Sequence, residues 1–112
     1  MHFQRLLALI ILGLSLSAAA DFRTTMEVWE VELSNLTLPA SEGGTLAFSD
    51  CADCDSQTIR VTPATRYTVN GRDVLLADFR RVLAGIRNRE DQIIDVFHDL
   101  ESNIIIRVRV KL

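Results

Sequence analysis

The sequence predicts a mainly β domain, closed as a small β-barrel, with one helix of about three turns between a central hairpin and a C-terminal hairpin. Three observations carry that expectation. Short apolar/polar alternations of period two recur between clusters of turn-forming residues. One segment, Leu76 to Arg87, instead repeats its apolar residues at helical spacing. An acidic row, Glu30 and Glu32, in the first alternation mirrors a basic row, Arg107 and Arg109, in the last, as two strands paired across a barrel seam would.

Residues 1–20 read as a cleavable signal peptide. His2 and Arg5 precede an uncharged apolar run from Leu6 to Leu16, and Ala18 and Ala20 form an Ala-x-Ala ending before Asp21. The apolar run has only 11 residues, whereas about 20 are needed to span a bilayer. Cleavage before Asp21 is therefore expected, with no membrane association afterwards. Residues 21–112 then form a single domain of 92 residues, with a modest core and no room for a second one.

Along that domain, Glu27 to Leu33 alternates Trp29, Val31 and Leu33 with Glu30 and Glu32, a half-buried strand. It runs on loosely through Leu36 and Leu38 to Pro39, where the missing amide proton and Ala40-Ser41-Glu42-Gly43-Gly44 end it. Thr45 to Ser49 follows, with Leu46 and Phe48 inward, then the polar loop Asp50 to Ser56. Thr58 to Thr62 places Ile59 and Val61 inward until Pro63 breaks it. Thr65 to Val69 and Arg72 to Leu75 flank Asn70-Gly71, the pair that suits a type I′ hairpin turn with positive φ at both positions.

The period then changes. Leu76, Phe79, Leu83 and Ile86 fall on one helical face, with Asp78, Arg80, Arg81 and Arg87 outward, and the polar run from Asn88 to Gln92 ends the helix. A second hairpin, Ile93 to His98 and Asn103 to Leu112, closes the chain. Its last strand sets Ile104, Ile106, Val108 and Val110 against Ile105, Arg107, Arg109 and Lys111.

Charge narrows the function. Without residues 1–20 the chain carries 11 basic and 15 acidic side chains, which argues against a nucleic-acid partner, since such a partner demands a basic footprint. Asp21 to Ile59 holds eight acids and only one base, Arg23, whereas Arg60 to Leu112 holds ten bases and seven acids. Neighbouring acidic and basic strands account for that asymmetry more simply than a basic binding face.

Cys51-x-x-Cys54 holds both cysteines of the chain. In an exported protein the expected state is a disulfide, worth only about 2 kcal/mol for so short a loop. Two alternatives remain open. A zinc or copper site would combine Cys51, Cys54, His98 and Asp53, soft ligands with one carboxylate. Thiol–disulfide exchange would need a thiol of lowered pKa, whereas Asp50, Asp53 and Asp55 surround this pair and negative charge acts the other way. No catalytic residues and no cofactor are expected: nothing matches a nucleophile elbow, and no His follows Cys54 as haem attachment requires. Asn35-Leu36-Thr37 matches a glycosylation acceptor, and Trp29 and Tyr67 are expected in the core.

The stretch Ile59 to Phe79, with Thr65-Arg66-Tyr67 opening a strand, Asn70-Gly71, Val74 and Leu76-Ala77-Asp78-Phe79, resembles a segment of small exported bacterial OB-like β-barrel domains of unknown function. The chain departs from that pattern by a full helix where a short turn is usual, and by the cysteine loop. The resemblance implies an OB-like barrel and brings no catalytic residues. The combined expectation is a periplasmic or secreted, non-enzymatic module that binds a protein or another envelope component.

Overall fold

The computed structural model of the chain describes residues 25–112. The expected signal peptide, residues 1–20, and its cleavage before Asp21 lie outside the described residues. The first alternation folds as β1 (Met26–Glu32), with Val31 fully buried and Glu30 and Glu32 exposed. It does not run on to Pro39. Leu33 and Leu36 are both buried, and in an extended strand residues three apart face opposite ways. A single 3-10 turn over Leu33–Asn35 resolves the conflict, and the chain resumes as β2 (Leu36–Thr37).

β3 (Thr45–Ser49) and β4 (Ser56–Arg60) pair antiparallel around the cysteine loop. β4 starts two residues earlier than expected and stops at Arg60, although Val61 remains fully buried beyond it. After the break at Pro63, the Thr65 hydroxyl accepts from the Thr62 amide at 2.9 Å and donates to the Ile105 carbonyl at 2.6 Å. That link fixes where β5 (Arg66–Val69) begins. β5 returns as β6 (Arg72–Val74) through Asn70 and Gly71, whose φ values of 50° and 83° are those the Asn-Gly pair requires.

Helix α1 spans Leu76–Ala84 and buries Leu76, Phe79 and Leu83. It is shorter than expected: it ends at Gly85, not at Asn88. The Gly85 amide donates to Val82 O at 3.2 Å, tightening the last turn, and the Arg89 guanidinium donates to Leu83 O at 3.0 Å. Both satisfy carbonyls that a helix end leaves free. Ile86 still packs against the core from outside the helix.

β7 (Ile93–Asp99) and β8 (Ile104–Val110) form the final hairpin. The inward row of β8 differs from strict alternation, because Ile105, Val108 and Val110 are fully buried while Ile104 and Ile106 are half-buried. The register passes from Phe97 opposite Arg107 to His98 opposite Ile105, which leaves Ile106 without a partner. This extra residue is a β-bulge, and it reverses the facing of every residue on one side of it.

The strands form one mixed sheet in the order β1-β7-β8-β4-β3-β2, with β5 parallel to β8 and β6 on β5. The expected pairing of the first and last strands does not occur, since β7 lies between them. Arg109 instead donates from Nε and Nη2 to Asp95 of β7, at 3.0 and 2.8 Å. A carboxylate inside the same hairpin is reached at less loop-closure cost than one across the whole chain. β1 and β2, the ends of the sheet path, are consecutive in the chain and joined by the 3-10 turn. The core lies on the inner face, centred on Val31, Phe48, Phe79, Val96 and Val108.

Candidate functional site

Cys51 and Cys54 are joined by a disulfide, with Cα atoms 5.0 Å apart. The Cys54 amide donates to Cys51 O at 3.2 Å, so the bridge ties together one tight turn. Every residue from Asp50 to Thr58 is exposed. A strand, β4, follows the pair where an activated thiol would want a helix N-terminus.

The four metal-site candidates are not assembled. Both sulfurs are bonded to each other, Asp53 stays exposed in the loop, and His98 is buried on β7. Among the described residues, no group of three or more His, Cys, Asp or Glu is arranged to hold a metal ion. His98 is occupied otherwise: its Nε2 lies 2.8 Å from Asn103 Oδ1. An amide oxygen only accepts, so Nε2 is the donor in this contact, while Nδ1 has no hydrogen-bond partner among the described residues. Trp29 and Tyr67 belong to the core as expected, Tyr67 buried and Trp29 half-buried with its ring centroid 5.5 Å from Phe48.

Two surfaces were not visible as motifs. The first lies on the outer face of β1, β7 and β8. Cross-strand register sets Val28 opposite Phe97 and Phe97 opposite Arg107, and directly opposed residues share a face. The guanidinium groups of Arg107 and Arg109 lie over the Phe97 ring, 5.7 and 5.0 Å from its centroid. Met26 and Ile93 share this face and Leu100 closes its end, donating its amide to Thr25 O at 2.8 Å. With Val28, these are four of the six large apolar side chains exposed among the described residues. Arg109 is paired with Asp95, whereas Arg107 makes no salt bridge among the described residues.

The second surface is a cleft of about 460 Å³ between the loop Ala40–Glu42 and the start of α1, lined also by Leu75, Leu76 and Arg80. Arg80 clamps its walls together, donating to Pro39 O at 3.1 Å and Ala40 O at 3.2 Å. A recess of about 70 Å³ adjoins it, sharing Glu42, Leu75 and Leu76 and reaching Tyr67. Burial, and then the Glu42 carboxylate, push the Tyr67 hydroxyl up to about 12. No local spacing announces the cleft and its recess, because the cleft's walls come from two separate stretches of chain and the recess adds a third. Among the described residues no helix is long and apolar enough to cross a membrane. Comparison with protein-family models, curated proteins and solved structures finds no match for this chain.

Proposed function

We propose that this chain is an exported, non-enzymatic binding module of OB-like barrel form, working in the periplasm or outside the cell, and that it docks a partner protein on the outer face of β1, β7 and β8. Support for the barrel comes from β1 and β2, which stand at opposite ends of the sheet path yet form one bent stretch of chain. Support for export comes from the disulfide, since such bonds persist in oxidising compartments.

The observation that carries the docking role is the concentration of exposed apolar side chains around the Phe97–arginine stack. Apolar groups gathered on one face, beside an aromatic and an arginine that makes no salt bridge among the described residues, have the composition of an interaction surface. Arg107 sets the partner's chemistry: an acidic segment whose carboxylate meets Arg107 while its apolar side chains cover Val28 and Phe97. Glu30 and Glu32 lie on the β1 side of the same face, so the partner's acids belong on the β8 side.

A photoreactive benzophenone side chain at Val28, in cells exporting the protein, tests this. One discrete crosslinked species is expected, absent when the same group is placed at Gln57 on β4 and lost when Arg107→Glu is added. Equal crosslinking from Gln57, or indifference to Arg107→Glu, would refute the surface. Amino-terminal sequencing of the exported protein should begin at Asp21; an intact Met1 would refute export by cleavage.

A further inference from the structure

Strand β1 is open along one side. It keeps a single register with β7, from Thr25, whose carbonyl accepts the Leu100 amide at 2.8 Å, to Leu33, whose amide donates to Gln92 O at 2.8 Å. Residues of an antiparallel pair alternate between bonding the partner strand and turning away from it. Thr25 and Leu33 fix the phase: Glu27, Trp29 and Val31 bond to β7, whereas Met26, Val28 and Glu30 point both N–H and C=O the other way. Among the described residues no strand lies on that side of β1, and no loop bonds to those groups. Met26, Val28 and Glu30 are all exposed. A row of free main-chain donors and acceptors is a template for one more strand.

Charge selects what that strand carries. Glu30 stands directly opposite Asp95, in the kind of pair that exchanges no main-chain bonds and brings side chains closest. Like charges so placed repel. Asp95 is relieved from its far side by Arg109, at 2.8 Å, while Glu30 makes no salt bridge among the described residues. With β7 on one flank of Glu30, the open edge is the flank from which a strand delivers a cation. Glu32, also exposed, follows two residues on and faces the same way. A second copy of β1 would bring three more carboxylates to this edge, from Glu27, Glu30 and Glu32, and so is the wrong occupant.

We propose that β1 captures an extended, basic segment of another protein by antiparallel strand addition. Lysine or arginine side chains at alternate positions stand opposite Glu30 and Glu32, and apolar side chains between them lie beside Trp29. A third basic residue, opposite Val28, covers it with the apolar stem of its side chain. The edge requires nothing of the surface around Phe97 and Arg107, so either site can fail alone.

Trp29 is the chain's single tryptophan and lies on β1, so its fluorescence reports on the edge. The disulfide-intact chain is titrated with an acetylated, amidated heptapeptide alternating valine and lysine. A saturable change is expected. The same peptide with glutamate for lysine should bind at least tenfold more weakly, and Glu30→Gln should weaken the lysine peptide about fivefold. Glu30 is exposed, so its substitution leaves the fold in place. Peptide N-methylation separates strand addition from simple charge attraction. Methylating the lysine amides, which face β1, should weaken binding at least tenfold; methylating the valine amides, which face away, should not. In hydrogen exchange, the amides of Val28 and Glu30 should be fast in the free protein and at least tenfold slower with the lysine peptide, those of Trp29 and Val31 slow in both. Four results would each overturn the proposal: no saturable change, equal binding of the glutamate peptide, equal binding of the two methylated peptides, or slow exchange at Val28 and Glu30 before peptide is added.

Discussion

Replacing both cysteines, as Cys51→Ser with Cys54→Ser, should cost the protein about 2 kcal/mol and leave its architecture intact. The magnitude follows from where the bridge sits. Closing a four-residue loop removes about 6 cal/mol/K of unfolded-chain entropy, which is about 2 kcal/mol at room temperature. Nothing else is at stake, because every residue from Asp50 to Thr58 is exposed and none belongs to the core. For a domain of this size that loss corresponds to a fall in Tm of about 10 °C. Urea unfolding followed by fluorescence measures it directly: Trp29 is the only tryptophan, and it packs on Phe48, which lies three residues before Cys51. Reduction of the wild-type protein should reproduce the double variant. A loss beyond about 4 kcal/mol, outside what loop closure of this length supplies, would refute the reasoning and mean that the bridge holds the β3–β4 hairpin in place. No loss at all would equally refute the entropic account.

Phe79→Ala removes a fully buried ring whose centroid is 5.4 Å from that of Tyr67, and should cost about 3–5 kcal/mol in the same urea assay. Leu75→Ala, one turn away but 69 % exposed, should stay within about 0.5 kcal/mol. A double-mutant cycle of Asp95→Asn and Arg109→Gln should show coupling of about 1 kcal/mol, since the pair is only partly exposed and Arg109 donates twice to one oxygen. Glu30→Gln with Arg109→Gln should be additive, because β7 separates them by two strand spacings, about 10 Å in all. Ultraviolet absorbance of the single tyrosine should show ionisation near 12 instead of the ordinary 10.0. Glu42→Gln should lower that midpoint only part of the way, burial being the larger cause. The unfolded chain ionises first, so Tyr67's contribution to stability should be constant below pH 10 and fall between pH 10 and about 12; Tyr67→Phe should abolish that decline.

What could be read from the sequence was whatever a local period or a turn residue determines. β3, the Asn70–Gly71 turn and the start of α1 lie where the alternation, the φ preference and the helical spacing put them. The helical spacing overshoots the helix end because Ile86 continues the apolar phase, although Gly85 stops the helix. The strand partners are not legible because charge is a poor address: Arg109 suits Glu30 and Asp95 equally in kind, and only chain proximity decides for Asp95. The deeper misses are two pairs of buried residues three apart, Leu33 with Leu36 and Ile105 with Val108. Period two forbids both pairs, so each demands a local break, a 3-10 turn in one case and a bulge in the other. Those breaks are where the usable surfaces arise. Beyond the first, the chain delivers Pro39 and Ala40 to Arg80 and so builds one wall of the cleft. Past the second, Arg107 and Arg109 face outward over Phe97 while Ile105 faces in. A strand without its bulge would keep the same residues and lose the platform, which is why no motif in the sequence could have announced it.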